Sequence, residues 1–289
     1  TRTLGEHLEF REYCPEVGIG LPSPRPPIRL IAADGADDIR AVGVKDSTAD
    51  FTDDLAAYAE RTAGDFSSLS GLIVKKDSPS CGMERVKVYM PNVDKPPERK
   101  GSGIFTGILM NRYPTLPVEE EGRLMDPVLR ENFITRVFAR HRWLMLLQEG
   151  ITTKKLIEFH SHHKFLLLAH YEPGYRELGR LIAEAGKRDI DELAEEYLLL
   201  FMQTLAKRAS PSKHANVLMH IMGFIKEKLS TEDKQELLDL IDSHRNGMVP
   251  LIVPITLLNH FLRRYPHEYI ARQYYLEPHP RELMLRNII

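Results

Sequence analysis

The feature that most constrains the fold is a change of pattern near residue 126. Before it, short apolar runs alternate with turns rich in glycine and proline. After it, long segments carry apolar residues at helical spacing and show few strand signals. The 289 residues also amount to about twice the usual size of one domain. We therefore predict two domains, residues 1–125 and 126–289, with the boundary near Gly122–Pro127.

The first segment predicts an α/β domain. Residues 28–33, 41–44 and 69–74 read as strands, and residues 48–62 read as a helix. A strand, a helix and another strand imply a parallel βαβ unit, so we predict a Rossmann-like parallel sheet. Ligands of such sheets gather beyond the carboxyl ends of the strands, where residues 75–82 follow.

The second segment predicts an all-α domain. Proline and glycine at Pro173-Gly174, Pro211, Gly247 and Pro266 fall between the periodic segments, as helix ends require. The predicted helices cover residues 127–147, 152–170, 174–186, 190–208, 212–228, 231–245, 249–264 and 266–275.

Charge differs between the two segments. Residues 1–126 contain 16 lysines and arginines against 21 acidic residues, and residues 127–289 contain 23 against 20, which gives net charges of −5 and +3. A basic segment favours an anionic partner. No run approaches the roughly 20 apolar residues that a membrane helix needs, and residues 1–10 lack a signal-peptide pattern. We expect a cytoplasmic protein without membrane association.

Two cysteines, Cys14 and Cys81, lie in segments rich in turn residues. So small a number favours reduced thiols over a disulfide framework. Stiff loops of glycine and proline hold metal ligands well, so the two cysteines are candidate metal ligands. The alternative interpretation is that both are small buried apolar residues. Two thiolates alone do not hold a four-iron cluster.

The residues around the cysteines carry a specific resemblance. CPEVGIGLPSPRPP at 14–27 and KKDSPSCG at 75–82, with GSGIF at 101–105, resemble the thiouracil desulfidase family over residues 7–125. Residues 127–289, with ENF at 131–133, RHRW at 140–143 and KHANVLMH at 213–220, resemble the YbgA-like helical domain. The fused arrangement is similar to that of bacterial desulfidases that act on 4-thiouridine in tRNA.

The resemblance implies a chemistry and its residues. A [4Fe–4S] cluster would be held by three cysteines, two of them Cys14 and Cys81, and the third is absent from this sequence. An iron without a protein ligand would take the thiocarbonyl sulfur while water attacks the ring carbon, with no net redox change. Glu12 would be the catalytic acid and base, and Ser78 would bind the substrate or the leaving sulfur.

Basic and aromatic residues mix along the second segment, as contacts to phosphates and bases require. We predict that tRNA contacts Arg140, Arg142, Lys207, Arg208, Lys213 and His214. The leading hypothesis is removal of sulfur from 4-thiouridine in tRNA to give uridine. Two alternatives stay open: a desulfidase of free thiouracil or thiouridine nucleotides, and a nucleic-acid-binding module without catalysis.

Overall fold

The computed structural model describes residues 4–32, 38–90 and 96–289. The chain divides into two compact units, and each is described by itself below. One contains Leu8–Met125, which we call the sheet unit. The other contains Thr1–His7 with Asp126–Ile289, which we call the helical unit.

The sheet unit contains six strands and three α-helices within the described residues. Its strands are β1 (Ile28–Ala32), β2 (Ile39–Gly43), β3 (Leu72–Val74), β4 (Val86–Tyr89), β5 (Glu98–Gly101) and β6 (Val118–Glu120). Its helices are α1 (Pro15–Gly18), α2 (Thr52–Phe66) and α3 (Ile104–Arg112). Four strands form a sheet in the order β2-β1-β4-β5, and β3 and β6 form a separate pair.

The predicted parallel sheet is found only in part, because the four-stranded sheet is mixed. β1 and β2 pair antiparallel, with Leu30 opposite Ala41, whereas β1 and β4 are parallel. The connection from Ala32 to Ile39 is too short for the crossover of about a dozen residues that parallel neighbours need. β3 pairs with β6 instead of β2, so α2 does not join two strands of one sheet. Residue 33, predicted to end the first strand, lies outside the described residues.

Helix α2 begins at Thr52 instead of residue 48 because turns precede it. Asp46 accepts a hydrogen bond from the backbone N–H of Thr48, and Asp50 accepts one from Thr52. Aspartates that bond to the backbone two residues ahead stabilise turns in competition with helix. The buried face of α2 packs with α3, β3 and β6 in one apolar cluster.

The predicted helical character of the second segment is confirmed. The helices are α4 (Pro127–Gln148), α5 (Thr153–His170), α6 (Glu172–Ile182), α7 (Ile190–Ala206), α8 (Pro211–Gly223), α9 (Thr231–Arg245), α10 (Ile252–Arg264) and α11 (Glu268–Ala271). The last of these is much shorter than the predicted 266–275. The backbone leaves the helix after Ala271 because the N–H of Tyr274 donates to the carbonyl of His162.

Side-chain caps define the starts of these helices. Asp126 accepts hydrogen bonds from the backbone N–H groups of Val128 and Leu129 at the start of α4. Thr152, Asp189, Ser210 and Ser230 cap α5, α7, α8 and α9 in the same way. Each such cap stabilises its helix by about 1 kcal/mol.

An aromatic cluster lies at the centre of the helical unit. Trp143 stacks on Tyr197 with ring centroids 5.6 Å apart, and Phe159 meets Phe201 edge-on at 5.2 Å. These side chains come from three helices, so their burial ties α4, α5 and α7 together. In the described ranges, no helix combines the length and apolar character needed to cross a membrane.

Candidate active site around two cysteines

Both cysteines are free, half-buried thiols in loops of the sheet unit. Cys14 directly precedes α1, and Cys81 lies in the connection between β3 and β4. The residue before Cys14 fixes its segment to α2: the hydroxyl of Tyr13 donates to Asp65 at 3.1 Å, and its ring lies 4.8 Å from that of Phe66. Cys14 is therefore held at a defined place despite the irregular loop around it.

The first turns of α3 determine the shape of the Cys81 loop. The backbone N–H groups of Ile104 and Phe105 donate to the carbonyls of Pro79 and Ser80 at 3.1 and 3.0 Å. The first N–H groups of a helix have no partner inside the helix, so the loop carbonyls satisfy them. The loop and the helix start therefore form as one structure.

The same contact explains why the motif at residues 101–105 has glycine at position 103. A Cβ atom on Gly103 would lie 2.4 Å from the carbonyl carbon of Ser80, which excludes any side chain there. One turn further on, the hydroxyl of Thr106 donates to the carbonyl of Cys81 at 2.8 Å. Glycine lets the helix start approach the Cys81 loop, and Thr106 then fastens it.

Two hydroxyls lie beside the Cys81 thiol. Ser78 Oγ accepts from the N–H of Cys81 at 3.1 Å and lies 3.0 Å from Ser80 Oγ. Ser80 Oγ donates to Glu16 at 2.7 Å and lies 3.6 Å from Cys81 Sγ. A hydroxyl has one proton, and the shorter contact to Glu16 takes it, so Ser78 donates to Ser80.

Glu16 and Arg25 continue this arrangement to the other cysteine. Arg25 Nε lies 3.3 Å from Glu16 Oε2, and Arg25 Nη1 donates to Cys14 Sγ. Hydrogen bonds, an ion pair and one sulfur contact thus run from Cys14 through Arg25, Glu16 and Ser80 to Cys81. We call these three intermediate residues the linking chain.

The charge of Cys14 is among the groups that influence the Cys81 thiol. Burial raises the pKa of the Cys81 thiol, the neighbouring hydroxyls of Ser80 and Ser78 lower it, and the charges of Glu16 and Cys14 raise it further. The net result is a raised pKa. Because a metal takes the thiolate, metal binding at Cys81 has to displace a proton that this environment retains.

The predicted site residues fall into two groups. Cys14, Cys81 and Ser78 lie in the arrangement just described, whereas the Glu12 side chain is exposed and has no hydrogen bond or ion pair within the described parts of the chain. Sequence reasoning missed Glu16 and Ser80 as members of the site. Both lie inside the motifs, but they are 64 positions apart, so their contact is visible only in the fold.

The donor set fits a metal cluster in part. Thiols are soft ligands that suit iron, and Cys14 and Cys81 supply two of them. Among the described residues, no group of three or more histidine, cysteine, aspartate or glutamate side chains could hold a metal ion. A cluster at this place would therefore need at least one further ligand.

The six residues predicted to contact tRNA do not share one exposed face. Arg140 and His214 are buried, with 3% and 6% of their surface exposed. Arg142 lies 3.9 Å from the centroid of the Tyr274 ring, and burial lowers its pKa to about 10. Lys213 Nζ donates to a backbone carbonyl at 2.6 Å. These four serve contacts inside the helical unit.

The other two predicted residues are available at the surface. Lys207 and Arg208 follow the end of α7, and both are exposed. The sequence alone could not distinguish these two from the other four, because all six are basic residue types in helical segments. Burial alone makes the distinction.

Comparison with known proteins agrees with the two-part organisation. Residues 1–121 match the family described as 2-thiouracil desulfurase, and residues 164–280 match the family described as "Protein of unknown function (DUF1722)". The "Uncharacterized protein YbgA" of Escherichia coli (strain K12) is 34% identical over 158 residues, which cover 54% of this chain and 94% of that relative. No solved structure matches the chain. The resemblance read from the motifs is confirmed: the chain belongs to the YbgA family and carries a 2-thiouracil desulfurase domain in its N-terminal part.

Proposed function

We propose that this chain is a [4Fe–4S]-dependent desulfidase that removes sulfur from 4-thiouridine in tRNA and leaves uridine. The 2-thiouracil desulfurase match supports the reaction class, C–S cleavage on a thiolated pyrimidine. The observation that carries the proposal is the linking chain, which joins Cys14 to Cys81 through Arg25, Glu16 and Ser80. Two thiols that are connected in this way are positioned to bind one common ligand.

Cys14 and Cys81 would be two of the protein ligands of the cluster, with at least one more required. When bound, such a cluster supplies an iron with affinity for the soft thiocarbonyl sulfur. The contribution of the linking chain is to hold the two sulfur atoms in place. Arg25 also provides positive charge beside Cys14.

Exchange of sulfur for oxygen uses one water and releases sulfide, so protons must leave the water and reach the departing group. Glu12 is the proposed acid and base, because its carboxylate is exposed and unengaged within the described residues and can accept a proton from water. Glu16 is already held by Ser80 and Arg25, which suits a positioning role. Ser78 can donate a hydrogen bond to substrate only by turning its proton away from Ser80.

The proposed tRNA contact rests on the helical unit. Residues 127–289 carry a net charge of +3, and Lys207 and Arg208 are exposed there. Neutralising phosphates with such residues is the main source of affinity for nucleic acid. A second candidate is favoured by the printed name of the matched family: hydrolysis of a free thiolated base such as 2-thiouracil, without RNA.

The test compares substrates after anaerobic reconstitution of the full-length protein with iron and sulfide. We expect sulfide release from tRNA that contains 4-thiouridine to exceed release from free 4-thiouridine monophosphate or 2-thiouracil. Cys14→Ala and Cys81→Ala should each abolish both bound iron and sulfide release, whereas Ser47→Ala, at an exposed position, should change neither. Normal iron content in either cysteine variant contradicts the cluster, and equal turnover of the free base favours the second candidate.

A further inference from the structure

The helical unit contains a cleft that desulfuration does not use. Two cavities, of about 1020 and about 200 Å³, lie between α10, α11 and the segment 274–287. They share Asn259, Arg263, Leu276, Glu277 and Arg281, so they adjoin; we call the two together the cleft, the larger cavity its outer part and the smaller one its inner chamber.

Buried charges line the inner chamber. His279 and Arg286 reach it with only 6% and 4% of their surface exposed. Arg286 Nε lies 3.3 Å from Glu131 Oε1, and His279 Nε2 lies 3.8 Å from the same oxygen. Burial alone would raise the pKa of Glu131, but the nearby His279 and the charge of Arg286 hold it well below its usual range.

A network of this kind does not follow from the needs of folding. Buried ions lose their hydration, and apolar residues of similar size often stabilise a core as well or better. Charges held at the wall of a cavity are instead typical of binding sites. Glu131 fixes the guanidinium of Arg286 at the wall of the chamber.

The outer part of the cleft has an excess of positive charge. Arg272 and Arg281 each form an ion pair with a glutamate four residues away, Glu268 and Glu277. Arg263 lines both cavities and has no ion pair among those of the described residues. An unpaired guanidinium at a cleft is a natural partner for phosphate, which it can bind with two parallel hydrogen bonds.

The inner chamber suits a flat ring. Ile255, Leu276 and Pro278 give it apolar walls, while Asn259 and Asn287 supply amide groups that can pair with ring substituents. An apolar cavity of about 150 Å³ can hold benzene, so the chamber of about 200 Å³ admits one six-membered ring and leaves little space for two fused rings.

We propose that this cleft binds a pyrimidine nucleotide, with the base in the inner chamber and the phosphate between Arg263 and Arg281. The ligand is either a free nucleotide or one residue of an RNA strand, since both offer the same ring and phosphate. The site does not depend on sulfur chemistry. If the nucleotide belongs to RNA, the cleft adds to the tRNA contact proposed above.

The experiment is calorimetric titration of the full-length protein with sulfur-free probes. Uridine monophosphate should bind, and uridine, inorganic phosphate and adenosine monophosphate should each bind about tenfold more weakly or worse. A single-stranded oligouridylate identifies the source: tighter binding than the monophosphate assigns the site to RNA, and equal or weaker binding assigns it to the free nucleotide. Absence of binding by both uridine monophosphate and the oligouridylate overturns the proposal.

Neighbouring arginines of one helix provide a matched control. Arg263→Ala should weaken binding of the tighter probe about tenfold or more, because Arg263 lines both cavities. Arg264→Ala should leave it unchanged, because Arg264 lines neither cavity. Both side chains are exposed, so unfolding midpoints should match and exclude a folding defect. Equal weakening by both variants would contradict the placement of the phosphate beside Arg263. This binding experiment does not depend on sulfide release, so its failure is distinct from failure of the proposed desulfidase activity.

Discussion

Polar side chains have different settings in the two units. Around the cysteines, Glu16 comes from a four-residue helix and Arg25 from a loop, and their side chains remain 18% and 42% exposed, although Ser80 beside them is fully buried. In the helical unit, Glu131 and Arg286 lie in a packed interior, with side chains no more than 6% exposed. In the sheet unit, loops thus place charged side chains near the surface. In the helical unit, helices and a C-terminal segment enclose them.

This difference indicates what each set of polar residues can do. Part-exposed loop residues can exchange protons with water and accept a substrate, and they contribute little to stability through their ion pairs. An enclosed ionic network makes stability depend on every member, because loss of one leaves a buried charge without compensation. Substitutions should therefore change chemistry in the sheet unit and stability in the helical unit.

The largest expected effect concerns the two glutamates near Cys14. Glu12→Gln should lower the turnover of thiolated substrate by about 10²–10⁴-fold with iron content unchanged, as expected for loss of an acid–base group. Glu16→Gln should instead lower the iron bound per chain, because Arg25 and Ser80 lose their carboxylate partner. The measurements are sulfide release and iron content. Retained iron with reduced turnover in Glu16→Gln would instead indicate that Glu16 acts as the acid and base.

The corresponding test in the helical unit is Glu131→Gln. Loss of this carboxylate leaves Arg286 buried without its anionic partner, and we expect a loss of about 3–5 kcal/mol in the free energy of unfolding. Urea denaturation measures it. Glu282→Gln is the control, since that side chain is exposed, and its effect should stay within about 0.5 kcal/mol. Similar losses of stability in both variants would contradict the dependence of the helical unit on its enclosed ionic network.

The same contrast explains what the sequence could predict. The site in the sheet unit is written in contiguous motifs, so Cys14, Cys81 and Ser78 could be named from local sequence alone. Strand directions could not, because pairing joins residues such as Leu30 and Val88 that local pattern does not relate. In the helical unit, Glu131 and Arg286 meet across 155 positions, and burial converts predicted surface residues such as Arg140 into internal ones.

Acid should destabilise the helical unit before it affects the Glu131 network. Burial and the charge of Lys164 lower the pKa of His160 to about 4, whereas an unfolded chain protonates this group near pH 6.5. Between these values the unfolded state binds more protons, so stability falls as the pH is lowered. The contribution of Glu131 is lost only below about pH 4.3, since its folded pKa is lowered.

Urea midpoints at pH 7 and pH 5 measure the His160 effect, each pKa unit corresponding to about 1.4 kcal/mol. His160→Gln should reduce the difference between the two midpoints. His220→Gln, which changes an exposed histidine of α8, should leave it as in the unmodified chain. An unchanged difference in His160→Gln would mean that other groups cause the acid sensitivity.

The smallest expected effect concerns the exposed charges of the helical unit. Reversal at Arg142 or Lys213 would disturb internal contacts, so Lys207→Glu with Arg208→Glu is the change that tests the surface alone. If both residues neutralise phosphates, affinity for tRNA should fall, and the slope of log affinity against log salt should shrink by about 2, about one per contact. Lys226→Glu with Lys228→Glu changes the net charge equally at another exposed place and serves as the control. Equal losses in the two double variants would mean that tRNA responds to overall charge, whereas a loss specific to the first pair locates an RNA contact at the end of α7.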